Sequence, residues 1–328
     1  MSKLSIIGAG AWGTTISILA AENGHSPTIW SFEDDVAKSI NELRENKKYL
    51  GGFQLPQNID STTDIKKASE SDIIILVTPS QHLRETLRKM AKHVKKDAVI
   101  VSAVKGLEIE TQKRMSEVIK DELPCENVAV ISGPNISKEI AKGLPAATVS
   151  ASKNIKTAQF VQKLLNSSRF RVYTNTDVAG VELGGTLKNV IAVAAGVADG
   201  MALGNNAKSA LMVRGIAEIS RLGIAMGGRA DTFSGLSGIG DLITTCSSTL
   251  SRNHQVGVEI SKGCKLNDIL SKMNAVAEGV PTAKAAREMA KKLKIEMPIT
   301  EEVYAVLYEG KDPFKAITQL MQRELKNE

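Results

Sequence analysis

A lysine set among small and apolar neighbours is the first residue in this chain whose surroundings call for chemistry. In Glu182-Leu183-Gly184-Gly185-Thr186-Leu187-Lys188-Asn189-Val190-Ile191-Ala192, helical spacing puts Lys188 on one face with Ala192, Ala195 and Asp199. Burying an unpaired ammonium is costly, so such a lysine has a partner or a task, unless its stem carries the charge to solvent. A glycine-rich loop, Gly235-Leu236-Ser237-Gly238-Ile239-Gly240, delivers Asp241 to the start of another helix, where it could simply be the N-cap of that helix. Ser251-Arg252-Asn253 offers a guanidinium and two hydrogen-bonding side chains, suited to a phosphate dianion or simply to a polar surface. Lys105 and the run Ser132-Gly133-Pro134-Asn135 each follow a strand-like segment. Both are either plain turns or strand ends that face a ligand.

A second chemistry is written at the N-terminus. Gly8-Ala9-Gly10-Ala11-Trp12-Gly13 follows the strand-like Leu4–Ile7 and opens a helix expected near Thr14. In that setting Gly8 permits a tight turn, Gly10 lets a pyrophosphate approach the backbone, and Gly13 allows close helix–strand packing. About 20 residues on, where an acidic side chain binds the ribose 2′-hydroxyl of a dinucleotide, stands Glu33. Its alternative role is a first-turn carboxylate favoured by the helix dipole, and Asp34 reads as a helix cap.

These residues need a frame that brings strand ends and helix starts together. Strands are expected at Leu4–Ile7, Pro27–Phe32, Ile73–Thr78, Ala98–Ala103, Val128–Ser132, Ala146–Ser150 and Phe170–Thr174. Helical patterns such as Thr14–Glu22, Asp34–Glu45, His82–Val94 and Gln112–Asp121 fall between several of them. This alternation predicts an α/β fold, a doubly wound, mostly parallel sheet covered on both faces. Beyond Asn175 helical periodicity takes over, as in Val181–Val197, Ser209–Leu222, Asp241–Ser247, Ala283–Leu293, Thr300–Tyr308 and Phe314–Met321. The expected organisation is a dinucleotide-binding domain over 1–176 and an all-helical substrate domain over 177–328, tightly joined, with a cleft between them.

Composition narrows the function classes. The 328 residues, 42% hydrophobic and 24% charged, suit two folded domains rather than a disordered chain. The net charge of +6 resides mainly in residues 1–175, with 24 basic against 19 acidic side chains. No aromatic interleaves with Arg84, Arg88, Lys89, Lys92, Lys95 and Lys96, so this run reads as a solvated helix face and nucleic acid is not expected. The best apolar stretch, Ile191 to Leu203, is interrupted by Asp199 and Gly200. No membrane span is expected, and the N-terminus lacks the pattern of a signal peptide. Three scattered cysteines point to a reducing compartment and, with four histidines, give no zinc spacing, so no metal is expected.

Taken together, the separated motifs resemble the bacterial type of NAD(P)-dependent glycerol-3-phosphate dehydrogenase over essentially the whole chain. The carrying segments are the glycine run with Thr14, Val104-Lys105-Gly106, Gly184 to Val190, Gly240 to Cys246, Ser251-Arg252-Asn253 and Val276-Ala277-Glu278-Gly279. The resemblance implies a Rossmann-type sheet and reversible hydride transfer between dihydroxyacetone phosphate and sn-glycerol 3-phosphate, for phospholipid synthesis in the cytoplasm. It implies Lys188 as the acid–base residue, with Asp241 and Lys105 in the catalytic group. It implies a substrate site of Lys105, Gly133, Asn135, Lys188, Asn189, Asp241, Thr245, Ser251, Arg252 and Asn253. For the coenzyme it implies Gly8, Gly10, Ala11, Trp12, Gly13, Phe32, Glu33, Tyr49, Lys105, Ser137, Arg252, Val276 and Glu278. Many bacterial members carry basic residues where this chain has Phe32-Glu33, which predicts NADH as the preferred coenzyme and NADP as a second one. Asn135 and Ser137 stand where Ser and Ala are common. A homodimer is compatible with the resemblance. The alternatives are a related two-domain dehydrogenase for a 3-hydroxy acid or sugar nucleotide, which also uses a lysine on the linking helix, and a non-catalytic dinucleotide sensor.

Overall fold

The computed structural model describes residues 2–273 and 275–325. Eight strands, β1 (Leu4–Ile7), β2 (Pro27–Trp30), β3 (Asp60–Thr62), β4 (Ile73–Leu76), β5 (Val99–Ser102), β6 (Val128–Ser132), β7 (Ala146–Ala151) and β8 (Phe170–Asn175), form one sheet. Their order is β3-β2-β1-β4-β5-β6-β7-β8. The first six run parallel, β7 is antiparallel to β6, and β8 runs parallel to β7. The chain winds outward from β1 to β3 and then returns to lay β4 on the other side of β1. That reversal opens a crevice at the carboxyl ends of β1 and β4, where ligands of such sheets bind.

Strand alternation sorts the apolar side chains to two faces. Leu4, Ile6, Ile73, Ile75, Val101, Ala129 and Ile131 pack with Ile16, Leu19 and Phe170. Ile7, Ile74, Leu76, Ile100 and Val128 pack on the opposite side with Leu83, Leu87, Met90 and Ile119. Each fully buried Ile or Leu contributes roughly 1.5–3 kcal/mol by leaving water. Both faces are covered, as the near-continuous apolar runs require.

Several boundaries differ from the sequence reading, each for a local reason. The first helix begins at Ala11 rather than near Thr14, because Gly10 already acts as its extended N-cap. Strand β2 ends at Trp30: the Ser31 N–H still donates to the Thr62 carbonyl, but its hydroxyl bonds the Glu33 backbone and turns the chain there. The helix expected from Gln112 starts at Met115, since Gln112 is left-handed (φ 55°). The helix expected over His82–Val94 is a 3-10 turn, Ser80–His82, followed by Leu83–Met90. Strand β3 was not expected, because Asp-Ser-Thr has no apolar signal and is held as an edge only by pairing with β2.

After β8 the chain enters the helix Val178–Gly200, which lies at the centre of a helical assembly with Gly204–Ala225, Asp241–Ser247, Arg252–Ser261 and Gly279–Leu293. Among the described residues it is the one helix long and apolar enough to cross a membrane, and 83% of its apolar window is buried inside the protein. Its small residues let backbones meet. A side chain added at Gly196 would overlap the His254 carbonyl, and one added at Gly257 would overlap the Val193 carbonyl. The Arg252–Ser261 helix, absent from the expected elements, is thereby fixed against Val178–Gly200.

Candidate active site

The glycine loop lies at the reversal between β1 and β4. Gly8 has φ 123°, and a Cβ there would come within 2.8 Å of the Val77 carbonyl oxygen beyond β4. A side chain at Gly13 would overlap the Gly8 carbonyl, whereas one at Gly10 would meet nothing within 4 Å. The crowding locks the loop and leaves its Gly10 side open. The helix Ala11–Glu22 has no side-chain cap and no acidic residue in its first turn, so its first N–H groups remain available to an anion. This fits a dinucleotide pyrophosphate. Trp12 packs against Phe170 at 6.5 Å, and Thr15 donates to the Ser137 carbonyl, so these two expected coenzyme positions border the same helix.

Beyond β2, Phe32 is 82% exposed. The Glu33 carboxylate does not cap the following helix; it accepts from Lys48 Nζ at 2.6 Å and from Tyr49 Oη at 2.8 Å. Burial first, and then this bond to Glu33, raise the Tyr49 phenol above its ordinary range. The buried Asn46 ties this turn to the glycine loop, donating to the Ala9 carbonyl at 2.7 Å and to Thr14 Oγ1 at 2.8 Å. Asn46 and Lys48 were not singled out in the sequence. Their signal, an Asn that opens a four-residue helix, is too common to stand out.

The second cluster is built from three elements. Lys105, just past β5, donates to the Gly133 carbonyl at 3.1 Å and pairs with Asp241 Oδ2 at 2.5 Å. Asp241 Oδ1 pairs with Lys188 Nζ at 2.6 Å. Lys188 also donates to Thr245 Oγ1, and that hydroxyl lies 3.2 Å from Asp241 Oδ1. Lys188 is 6% exposed, so its charge does not reach out to solvent, and Asp241 is 1% exposed and does not cap its helix. Burial pulls the Lys188 ammonium down to about 8, with Lys105 acting in the same direction and Asp241 opposing. Two ammonium groups share one carboxylate, leaving a net positive pocket.

The remaining expected residues fall into two groups. Asn253 donates to Asn189 Oδ1 and accepts from the Gly279 N–H, both at 2.8 Å, which locks three helices beside Lys188. Ser251 caps the helix that starts with Arg252, and Arg252 is exposed with no ion-pair partner among the described residues. Glu278 accepts from the Ser80 N–H at 2.8 Å and from Ser80 Oγ at 2.5 Å, while Val276 beside it is 43% exposed. Burial holds the Glu278 carboxyl above its usual range, against the opposing pull of Ser80 and Arg252. Asn135 is turned toward β7 instead, accepting from Thr148 Oγ1 at 3.0 Å and donating to the Ala147 carbonyl at 3.4 Å. Among the described residues no group of three His, Cys, Asp or Glu side chains is placed to hold a metal.

Residues 3–158 match the model for the N-terminus of NAD-dependent glycerol-3-phosphate dehydrogenase, and residues 177–318 match the model for its C-terminus. The chain is 47% identical over 330 residues to the glycerol-3-phosphate dehydrogenase (NAD(P)+) of Syntrophotalea carbinolica, covering 99% of each chain. It is 46% identical to that of Bacillus velezensis, covering 98% of this chain and 95% of the relative. The crystal structure of glycerol-3-phosphate dehydrogenase from Coxiella burnetii superposes with a TM-score of 0.94 at 34% identity, covering 98% of this chain and 99% of the other. A ketopantoate reductase from Ralstonia eutropha, at 14% identity and a TM-score of 0.61, shares the fold alone. With both halves matched and near-identical extents in its relatives, the chain belongs to the NAD(P)-dependent glycerol-3-phosphate dehydrogenase family.

Proposed function

We propose that Lys188 is the acid–base group of the reversible hydride transfer between NAD(P)H and dihydroxyacetone phosphate that yields sn-glycerol 3-phosphate. The observation that carries this reading is the buried Lys188–Asp241 pair with the half-buried Lys105 on the same carboxylate, the Lys188 ammonium being drawn down to about 8. The bound nicotinamide supplies the hydride for the ketone carbon. As negative charge builds on the ketone oxygen, the Lys188 ammonium stabilises it and passes it a proton from Nζ; in the reverse direction neutral Lys188 takes that proton back. Asp241 and Thr245 fix the direction of Nζ, and Lys105 adds positive charge beside it. Arg252, whose guanidinium has no ion-pair partner among the described residues, grips the substrate phosphate and turns that binding into positioning of the carbonyl.

Residues 1–176 then serve mainly the dinucleotide and 177–328 mainly the substrate. The pyrophosphate is held at Gly8, Gly10 and the first N–H groups of the Ala11–Glu22 helix, with Ser137, Val276 and Glu278 on the walls. Glu33 and Tyr49 serve the adenosine ribose. A carboxylate at that place repels a 2′-phosphate, which supports NADH as the preferred coenzyme. A cytoplasmic setting fits three unpaired thiols, and the product suits phospholipid synthesis. The test is steady-state oxidation of NADH and NADPH with dihydroxyacetone phosphate, beside unphosphorylated dihydroxyacetone. Turnover as good without the phosphate would refute the assignment of Arg252. Better efficiency with NADPH would refute the coenzyme preference.

A further inference from the structure

The turn Lys47–Leu50 stands next to the glycine loop for reasons unconnected with its surface charge. Leu50 is fully buried in the core beneath it, and Asn46 anchors its start to the Ala9 carbonyl and to Thr14. Asn46 Oδ1 in turn accepts from the Tyr49 N–H at 3.1 Å. The turn is therefore rigid relative to the loop that takes the pyrophosphate. From it the Lys48 side chain, 41% exposed, reaches Glu33 Oε1 at 2.6 Å, with its ammonium 5.7 Å from the Tyr49 ring centre. Asp35 adds a further negative charge nearby. Next to Glu33 in the chain, Phe32 is 82% exposed and offers an apolar surface.

The Lys48 ammonium lies at the surface and is paired with a half-buried carboxylate that Tyr49 also holds, and such surface pairs contribute little. A phosphate dianion brought to the same place offers Lys48 a stronger partner. We infer that Lys48 is a specificity-determining residue that leaves Glu33 to bind a coenzyme 2′-phosphate, so that the Lys48–Glu33 pair sets the tolerance for NADPH. The inference rests on the reading above that Glu33 serves the adenosine ribose. With NADH bound, Lys48 stays on Glu33, and the carboxylate still has lone pairs free for the ribose hydroxyls. With NADPH bound, Glu33 repels the added phosphate and Lys48 offsets that repulsion. The two effects oppose each other, and the enzyme accepts both coenzymes.

A double-mutant cycle on the full-length enzyme tests this, with Lys48→Ala, Glu33→Gln and the combined variant. Activity is read as kcat/KM for each coenzyme, and binding without turnover by calorimetry with 2′-AMP and 5′-AMP. Lys48→Ala should lower NADPH efficiency on the order of tenfold more than NADH efficiency, as expected for loss of one charged hydrogen bond. It should weaken 2′-AMP and not 5′-AMP. Glu33→Gln should raise NADPH efficiency, and by less when Lys48 is already removed. Equal losses with both coenzymes, or unchanged 2′-AMP affinity, would overturn the inference. The coenzyme preference of the unmodified enzyme is a separate measurement: if it favours NADPH while the cycle still couples Lys48 to the 2′-phosphate, the NADH reading fails and the role of Lys48 stands.

Discussion

Lys188 is the residue whose surroundings depart furthest from those of an ordinary lysine. Only the ammonium can protonate the ketone oxygen, and only the neutral amine can accept the proton in reverse. With Lys188 drawn down to about 8, reductive kcat/KM should fall as pH rises through about 8, and oxidative kcat/KM should rise over the same window. Asp241→Asn removes the charge that opposes the downward shift, so both breakpoints should move to lower pH; pH–rate profiles in the two directions check this. Lys188→Ala should keep NADH affinity and lose roughly 10²–10⁴-fold in kcat. Arg252→Ala should raise KM for dihydroxyacetone phosphate on the order of 10- to 100-fold, as removal of a charged hydrogen bond predicts, and barely change turnover of unphosphorylated dihydroxyacetone. Equal losses on the two ketones would assign Arg252 to the coenzyme or to the fold.

Among the elements, the helix pair Val178–Gly200 and Arg252–Ser261 joins Lys188 to Arg252. The joint is a backbone contact at Gly196 and Gly257, so its separation is set by the absence of side chains. Gly257→Val should push the helices apart, destabilising the fold by about 1–3 kcal/mol through overpacking and displacing Arg252 from Lys188. The expected signature is a lower melting temperature and a raised KM for dihydroxyacetone phosphate, with NADH affinity little changed because the glycine loop lies elsewhere. An unchanged KM would show that the contact does not position the site. The reading of elements from sequence was good where one residue pattern decides, as in β1, β6 and Asp241–Ser247. It failed where a neighbour decides. Strand β3 exists only through pairing with β2, and the Arg252–Ser261 helix carries Gly257 in its middle, a helix-weakening residue unless another helix lies against it.

Across the whole molecule, carboxylates of the helical part, Glu182 buried and Glu278 half-buried, tie it to the turns and helices that flank the sheet. Glu182 accepts from the Ser116 N–H at 2.8 Å and from Arg114 at 2.6 Å, while Glu278 reaches Ser80 from the helical side. Within the helical part, Glu218 is 1% exposed and accepts from the Ile299 N–H at 2.6 Å and the Thr300 N–H at 3.2 Å. Burial pushes it from 4.5 up to about 7 despite these bonds. The folded state therefore holds the proton more tightly than the unfolded chain. The stability this provides is full below pH 4.5 and is lost as pH rises through about 7. The shift corresponds to roughly 3 kcal/mol. Glu218→Gln stays neutral at every pH, so its stability relative to the unmodified enzyme should improve by up to that amount between pH 5 and pH 8. Urea denaturation at the two pH values measures the difference, and a constant difference would mean that Glu218 is ionised throughout.

The sequence by itself determined what depends on near neighbours along the chain. The glycine fingerprint, the alternation of strand and helix up to Asn175, and the small-residue face around Lys188 follow from turn geometry and from periods of 2 and 3.6 residues. The family motifs added Thr245 and Asn189, which no local pattern marks. Only the tertiary structure decided that Asp241, 136 positions from Lys105, is shared between two lysines. It alone placed Lys48 on Glu33 and Asn46 under the glycine loop. The physical reason is that such contacts depend on how closely whole helices and strands approach one another. That distance is fixed by the packing of many side chains at once and leaves no periodic trace in any one segment.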